Sequence, residues 1–344
     1  MSGHTVVALG ELLLRLKSPG YERLLQSPTL ESAFGGAEAN VAISLAHFGI
    51  ASSFVTALPA NAVGDAAIGE LRRHGVGVEH VARTGERLGI YFLEAGAAHR
   101  PSRVVYDRAG SSLATADPTL FDWDAVFAGA HWFHLSGITP AISESAAELA
   151  LRSVHAAKQR GVTISCDYNF RASLWKWGRS APEVMHGIMQ HVDVGIAGRE
   201  DCQRVLGIGV DMTDDAVDPD MDFYRTLAQR VLDAFPTLRM QVITLRSSQS
   251  ASRHGWSACL LDRDGGFHVS RRYDIGDVVD RVGAGDAFSA GLIYGLLEMD
   301  EPRALEFAVA ASCLKHTIPG DFNRVSVAEV NALLQGDAGG RVKR

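Results

Sequence analysis

The sequence predicts an α/β protein whose mostly parallel β-sheet is flanked by helices on both faces. The first observation is alternation: short apolar β-branched runs are followed repeatedly by runs with helical spacing, from residue 5 to about residue 316. Strands that alternate with helices form a parallel sheet, because each helix carries the chain back to start the next strand. The second observation is that 12–34 and 89–110 break this alternation, which predicts a small additional β structure.

The individual elements follow from local patterns. Val41, Leu45 and Phe48 are spaced by four and three residues, which places them on one helical face, and Gly49 then ends the helix. In chain order, we predict strands at 5–10, within 12–34, and at 53–58, 89–94, 102–107, 131–136, 162–167, 192–196, 241–246 and 257–261. We predict helices at 37–48, 65–74, 143–160, 182–190, 199–206, 222–235, 285–298 and 302–316.

The two runs within 89–110 do not fit a strand–helix–strand unit. Gly89–Glu94 and Ser102–Asp107 are both strand-like and are joined by a turn, which is typical of an antiparallel hairpin. We therefore predict one α/β domain over residues 1–344, with a small β appendage formed by about 12–34 and 89–110.

Composition and charge exclude several classes of protein. The 344 residues include 33 Lys+Arg and 40 Asp+Glu, and the formal net charge of −7 argues against a duplex nucleic-acid binder. The apolar N-terminal run is interrupted by Glu11 and Arg15, so it is too short to span a membrane. We expect a cytoplasmic protein that binds neither nucleic acid nor membrane. The acidic stretch 209–222 is predicted to be a surface insertion, and 336–344 a frayed tail.

The strongest chemical signal is the segment Asp280–Gly291, DRVGAGDAFSAG. A β-rich run at Asp277–Val279 leads into the Gly-Ala-Gly turn, and a helix begins near Asp286. Such a turn leaves backbone N–H groups unpaired at the positive end of a helix dipole, which favours binding of phosphate. A carboxylate there would repel phosphate, but it suits a base that accepts a proton from an attacking hydroxyl. The alternative is an ordinary N-cap aspartate.

A second glycine cluster, Gly35-Gly36, precedes the helix that contains Asn40. Two glycines permit close approach of a polyhydroxylated ligand, and the Asn40 amide offers both a donor and an acceptor. The alternative is a tight strand–helix turn with a capping asparagine. No GxxxxGK[ST] is present, and GxGxxG would need glycine at Phe288, which leaves a NAD-dependent oxidoreductase as a weaker alternative.

Together, GGAEANVAISLAHFGI (35–50) and DRVGAGDAFSAGLIYGLL (280–297) resemble the paired signatures of the ribokinase-like (PfkB) carbohydrate kinases. The resemblance covers nearly the whole chain. It implies a ribokinase-like fold whose small sheet is a lid over the sugar, with ATP and Mg²⁺ as cofactors. It also implies that Asp286 is the general base and that the turn Gly283, Ala284 and Gly285 stabilises the transferred phosphoryl group.

Four segments are similar to 2-keto-3-deoxygluconate kinases: RPSRVVYDRAGS (100–111), DYNFRASLW (167–175), VDRVGAGDAF (279–288) and KHTIPGDFN (315–323). An aldonate carries a carboxylate, and the guanidinium groups of Arg108 and Arg171 suit its bidentate recognition. Tyr91 and Tyr106 would hydrogen-bond the acid, and Asp321 matches a family position near the substrate. Solvated surface arginines, cross-strand tyrosine packing and a turn-forming aspartate are the competing interpretations.

The resemblance also implies where the cofactors bind. The family places its nucleotide along 244–247 and 312–316, so the predicted ATP contacts are Thr244, Arg246, Ser312, Lys315 and His316. Glu200 and Asp201 match the family motif that organises Mg²⁺ through water, although Gly198 replaces the usual asparagine. Lid-to-lid dimers are common in the family, so we expect a homodimer formed through the lid.

The predicted function is ATP-dependent phosphorylation of a sugar-acid hydroxyl, namely of 2-keto-3-deoxygluconate to its 6-phosphate. A kinase for 5-keto-2-deoxygluconate, fructose or another sugar is the alternative within catalysis. The alternative from another class is a sugar-acid sensor that has lost efficient phosphoryl transfer. The replacement of the family asparagine by Gly198 suggests this alternative.

Overall fold

The alternating runs of the sequence fold as alternating strands and helices. The computed structural model describes residues 3–210, 220–248, 250 and 253–336, so most of the predicted acidic insertion and tail lie outside the described residues. The strands are β1 (Thr5–Leu9), β2 (Leu13–Lys17), β3 (Glu31–Gly35), β4 (Ala51–Leu58), β5 (Val81–Arg83), β6 (Gly89–Glu94), β7 (Arg103–Asp107), β8 (Trp132–Ser136), β9 (Thr163–Asp167), β10 (Val194–Gly198), β11 (Met240–Ser248), β12 (His254–Asp262), β13 (Phe267–Val269) and β14 (Tyr273–Ile275). The helices are α1 (Ala37–His47), α2 (Ala62–Arg73), α3 (Trp123–Val126), α4 (Glu144–Gln159), α5 (Ala181–Met189), α6 (Arg199–Leu206), α7 (Met221–Ala234), α8 (Ala284–Glu298), α9 (Glu301–Lys315) and α10 (Val327–Leu334).

Ten of the described strands form the large sheet, in the order β13-β12-β11-β10-β9-β8-β1-β4-β5, with β14 beside β12. The strands from β11 to β5 are parallel, and β12 and β13 add an antiparallel edge. Successive residues of β10 face opposite sides, since Ile196 and Ala197 belong to different buried apolar clusters. Helices therefore cover both faces, as the sequence predicts.

A separate four-stranded sheet has the order β3-β2-β6-β7. The β6–β7 hairpin is antiparallel, with Tyr91 opposite Tyr106, while β2 and β6 run parallel. We call these four strands the small sheet. Its strands come from the two segments that break the alternation, as the sequence predicts.

Helices α8 and α9 pack unusually closely because glycine faces alanine along their contact. A Cβ on Gly291 would lie 2.8 Å from Ala308 Cα, and a Cβ on Gly295 would lie 2.5 Å from Ala304 Cα. Any larger residue at either glycine would push the two helices apart. Helices α8 and α9 therefore form a tightly joined pair.

The structure corrects one local prediction and adds elements that the pattern did not indicate. The β-rich run Asp277–Val279 is a loop, because Asp277 has φ +54° and the Val279 N–H donates to His316 O at 2.9 Å instead of joining a strand. The short strands β5, β13 and β14 and the helices α3 and α10 were not predicted. Within the described ranges, no helix combines the length and apolar character needed to cross a bilayer.

Candidate active site

The carboxyl ends of the parallel strands and the small sheet enclose a cavity of about 630 Å³. Loops that follow parallel strands meet at one edge of the sheet, so residues far apart in sequence converge there. The predicted site residues that line the cavity are Gly36, Asn40, Tyr106, Arg108, Arg171, Glu200, Asp201, Thr244, Arg246, Gly283, Ala284, Gly285, Asp286, His316 and Asp321. Four other predicted residues, Gly35, Tyr91, Ser312 and Lys315, lie behind the lining and contact it.

The Gly-Ala-Gly turn begins helix α8, with Gly283 as its N-cap at φ +82°. A Cβ on Gly283 would lie 1.9 Å from the Asp321 carbonyl oxygen, so this position requires glycine for both conformation and space. The Ala284 N–H donates to Arg281 O at 3.3 Å, which partly occupies one predicted phosphoryl donor. The following amides, of Gly285 and Asp286, belong to the first helical turn, where the helix dipole favours an anion.

Asp286 is the third residue of α8 and not its N-cap, so the capping interpretation does not apply. Its Oδ2 accepts a 2.6 Å hydrogen bond from Asn40 Nδ2. Burial raises the pKa of Asp286 to about 7; the Asn40 hydrogen bond opposes this rise, and the nearby Asp321 and Glu38 carboxylates add to it. A carboxylate with a pKa near neutrality is suited to accepting a proton.

The Gly35-Gly36 pair allows close approach of protein groups. A Cβ on Gly36 would lie 2.1 Å from Glu11 O, and one on Gly35 would lie 2.0 Å from Asp321 Oδ2. Gly36 is the N-cap of α1, and its N–H donates to Asn40 Oδ1 at 3.3 Å. The Asn40 amide therefore joins the two glycine motifs, because it accepts from one and donates to Asp286 of the other.

The small sheet contributes two predicted residues to the cavity and keeps a third beneath it. Tyr106 and Arg108 line the cavity, and Arg108 Nε donates to Glu11 Oε2 at 2.6 Å in a buried ion pair. The Tyr91 hydroxyl instead faces Asp321, at 2.7 and 2.6 Å from its two carboxylate oxygens. Tyr91 does not itself line the cavity, and its contact with substrate stays a prediction.

A buried charge cluster lies beneath the Gly-Ala-Gly turn, and we call it the Arg15 cluster. It consists of Arg15, Tyr91, Asp280, Lys315 and Asp321, each of which is at most 9% exposed. Arg15 Nη1 donates to Asp321 Oδ1 at 2.5 Å, and Arg15 Nη2 donates to Asp280 Oδ2 at 2.6 Å. Asp321 lines the cavity, but its carboxylate is already bound by the protein.

The predicted nucleotide contacts divide into two groups. Thr244 and Arg246, near the end of β11, line the cavity with His316. Burial lowers the pKa of His316 to about 4, so its ring is neutral at neutral pH. Ser312 and Lys315 are fully buried: the Ser312 hydroxyl donates to Ala284 O at 2.7 Å, and Lys315 Nζ donates to Ile318 O at 3.1 Å. These two side chains support the turn and do not face the cavity.

Carboxylates gather on the β9–β10 side of the cavity. Burial raises the pKa of Asp167 well above its usual range, and the nearby Asp201 and Asp286 raise it further. Burial also raises the pKa of Asp201, although its carboxylate accepts hydrogen bonds from the backbone N–H groups of Gly198 and Phe170. Glu200 is exposed and pairs with Arg204 at 2.9 Å. This side of the cavity is electrostatically suited to a cation.

Within the described ranges, three His, Asp or Glu ligand atoms come within 4.8 Å of one another at Asp262, His268 and Glu301. This group lies at the amino ends of the parallel strands, opposite the cavity, since Asp262 pairs with Met240 at the start of β11. The cavity carboxylates do not form such a preassembled set. They suit an ion that keeps most of its ligands as water and phosphate oxygens.

Three buried charged residues at the site were not assigned roles from the sequence. Glu38 accepts hydrogen bonds from the Ser136 N–H, the Ser136 hydroxyl and the Thr139 hydroxyl, and burial raises its pKa. Glu11 and Arg15 form the ion pairs described above. The sequence signal for these residues is a charged side chain within an apolar run. It indicates that the side chain is buried but does not indicate which residues bind it.

The fold and the cavity define a sugar-phosphorylating enzyme, and residues 4–323 match the pfkB family carbohydrate kinases. The chain belongs to this family and is a carbohydrate kinase. It is 33% identical to 2-dehydro-3-deoxygalactonokinase from Haloferax volcanii, over 97% of this chain and 98% of that protein. It is 29% identical to 2-dehydro-3-deoxygluconokinase from Thermoproteus tenax, over 92% and 90% of the two chains.

The solved structures agree with this assignment. The crystal structure of 2-dehydro-3-deoxygluconokinase from Thermotoga maritima is similar to this chain with a TM-score of 0.90 and 46% sequence identity. The match covers 97% of this chain and 100% of that chain. The predicted ribokinase-like fold is confirmed.

Proposed function

We propose that this kinase transfers the γ-phosphoryl group of ATP to 2-keto-3-deoxygluconate, giving the 6-phosphate. The observation that carries the proposal is a single cavity that contains Asp286, the start of α8, and the guanidinium groups of Arg108 and Arg171. A neutral-sugar kinase has no need for two arginines beside the acceptor, whereas an aldonate offers them a carboxylate. The names of the similar proteins from Thermotoga maritima and Thermoproteus tenax support the same substrate.

In this proposal Asp286 accepts the proton of the substrate hydroxyl. The hydroxyl oxygen bonds to the γ-phosphorus of ATP as the bond to ADP breaks and ADP leaves. A pKa of about 7 makes Asp286 a base that is substantially ionised at neutral pH. The N–H groups of Gly285 and Asp286 and the α8 dipole stabilise the charge on the transferred group. Asn40 fixes the carboxylate orientation through its 2.6 Å hydrogen bond.

Substrate recognition combines one buried and one exposed arginine. Arg108 is held by Glu11 and lies 5.6 Å from the Tyr106 ring centroid, so its guanidinium plane is fixed before the substrate arrives. Arg171 is exposed at the cavity wall, where its Nη1 donates to Phe170 O at 2.9 Å. The pair gives the site one rigid and one adaptable contact for a carboxylate.

ATP is proposed to lie along Thr244, Arg246 and His316, which line the end of the cavity nearest β11. Burial raises the pKa values of Asp167 and Asp201, and a bound cation would oppose that rise, which fits Mg²⁺ held by these carboxylates through water. When bound, Mg²⁺ supplies charge neutralisation of the nucleotide phosphates.

The test is an ADP-release screen over keto-deoxy aldonates, including the gluconate and galactonate epimers, simple aldonates, 5-keto-2-deoxygluconate and fructose. Arg171→Met should raise KM for the acid at least about tenfold and leave any fructose activity unchanged, because it removes a charge-assisted contact. Arg87→Met is the matched control, since Arg87 is bound to Asp107 and does not line the cavity. Preference of the wild type for fructose would refute the acid assignment.

A separate single-turnover assay addresses the sensor alternative. At Gly198 no side-chain amide replaces the family asparagine. The Gly198 N–H donates to Asp201 Oδ2 at 2.9 Å. A single-turnover experiment with ATP and Mg²⁺ should give phosphorylated sugar acid in wild type and about 10²–10⁴-fold less in Asp286→Asn. Tight binding of the acid without product in the wild type would favour the sensor.

A homodimer through the small sheet is proposed on the basis of its outer face. Leu16, Phe92 and Val105 are paired across β2, β6 and β7, so they form an apolar row on one face. Val105 is 38% exposed. Mass measurement by light scattering should give a dimer for wild type and a monomer for Val105→Asp; a monomeric wild type would refute the proposal.

A further inference from the structure

Arg15 links the small sheet to both loops that flank the catalytic turn. It lies on β2 and is 3% exposed, and its two terminal nitrogens bind carboxylates that come from different parts of the chain. Asp280 precedes the turn, and Asp321 follows α9. A planar guanidinium can bridge two such carboxylates, whereas a lysine ammonium presents a single point of charge.

Each of these carboxylates is in turn fixed to the backbone around the turn. Asp280 Oδ1 accepts from the Val282 N–H at 3.0 Å, and its Oδ2 accepts from the Gly320 N–H at 3.1 Å. The backbone oxygen of Asp321 lies against Gly283, where no side chain would fit. Arg15 therefore binds two residues, Asp280 and Asp321, that both contact the turn.

The charges of the Arg15 cluster balance. Two cations, Arg15 and Lys315, face two carboxylates, Asp280 and Asp321, and the hydroxyl of Tyr91 binds the second carboxylate. Burial alone would lower the pKa of both cations, and the two carboxylates oppose this. Loss of Arg15 would leave buried negative charge in excess, so a carboxylate would take up a proton or the loops carrying it would move toward water; either change releases the contacts that Arg15 holds.

We propose that Arg15 is a positioning residue that couples the placement of the small sheet to the geometry of the Gly283–Asp286 turn. Tyr91 belongs to the same network, because its hydroxyl donates to Asp321. The proposal rests on the proposed function only in that the turn is where phosphoryl transfer occurs. The same two ion pairs therefore fix the position of β2 relative to the segments that flank the turn.

The kinetic test compares Arg15→Ala and Arg15→Lys with wild type. Both arginine variants should lose about 10²-fold in kcat, because displacing a catalytic group by about 1 Å has that effect. Lysine should fail to restore kcat, since one ammonium cannot bridge both carboxylates. Arg15→Lys should leave KM for the sugar acid within about twofold, whereas loss of a substrate ligand would raise KM. Wild-type kcat in Arg15→Lys, or a raised KM with unchanged kcat, would overturn the proposal.

The second test does not depend on activity. Hydrogen exchange of peptides covering 281–288 should be faster in Arg15→Lys than in wild type. Arg263→Ala is the matched control: Arg263 binds the backbone oxygens of Leu232, Phe235 and Leu238, so its loss should lower Tm without affecting this peptide. Unchanged exchange over 281–288 in Arg15→Lys would also overturn the proposal. A wild type inactive on sugar acids would refute only the proposed substrate.

Discussion

Replacement of Gly283 by alanine is the sharpest perturbation of the catalytic turn. Gly283 has φ +82°, a conformation that costs a residue with a Cβ about 1–2 kcal/mol. The new Cβ would also lie 1.9 Å from Asp321 O and 3.3 Å from Lys315 Cε. Since the carbonyl oxygen is backbone, either the turn or the loop carrying Asp321 must move, and such overpacking costs a further about 1–3 kcal/mol.

The two effects together predict a loss of about 2–5 kcal/mol in the free energy of unfolding. With an unfolding entropy of about 2.1 cal/mol/K per residue over 344 residues, this corresponds to a fall in Tm of about 3–7 °C. The displaced turn no longer aims its N–H groups at the phosphoryl group, so kcat should fall about 10²–10³-fold.

Gly285→Ala is the matched control, two residues away on the same turn. A Cβ on Gly285 meets nothing within 4 Å, and alanine favours a helix over glycine by about 0.5–1 kcal/mol. Its Tm should therefore equal or exceed that of wild type in differential scanning calorimetry. A Gly283→Ala protein with the Tm of Gly285→Ala and wild-type kcat would refute the steric argument.

Further predictions concern pH. If ionised Asp286 is the base, as proposed, kcat/KM should fall as pH decreases below its pKa of about 7. Asn40→Ala removes the hydrogen bond that lowers this pKa, so the acid limb of the pH–rate profile should move to higher pH; a shift to lower pH would contradict the assignment. Burial lowers the pKa of His134 to about 3, so its contribution to stability is complete above an unfolded-state pKa of about 6.5 and is lost as pH falls toward 3. The difference in urea midpoint between wild type and His134→Gln should therefore shrink from pH 7 to pH 5, and a constant difference would contradict it.

The alternating elements could be predicted because their signals are local. The predicted helix 199–206 has the bounds of α6, and the hairpin at 89–110 folds as predicted. The loop at Asp277–Val279 could not be predicted, because its backbone donors are bound by His316 O from a distant helix end. Local propensity depends only on the residues of the run. It carries no information about a distant carbonyl that binds their N–H groups in place of a neighbouring strand.

The site could be predicted as a set of residues but not as a network. Asp286 and Asn40 were each identified in a glycine motif, yet the hydrogen bond between them spans 246 positions. The partners of Arg15 are 265 and 306 positions away, so its charge indicated an interruption of an apolar run and nothing more. Tyr91 and Tyr106 are directly opposite on the hairpin, and only the position of Asp321 beneath Tyr91 distinguishes them.

The close contact of α8 and α9 has a consequence for engineering the acceptor specificity. Glycine against alanine fixes the start of α8 against the end of α9, so the Gly283–Asp286 turn and His316 keep their spacing. The small sheet, which carries Tyr106, is a separate piece of the architecture and forms only part of the cavity wall, since Arg171 follows β9. Strands of that sheet could be exchanged with those of relatives to alter this part of the wall, provided that each graft retains Arg15 as its link to the turn.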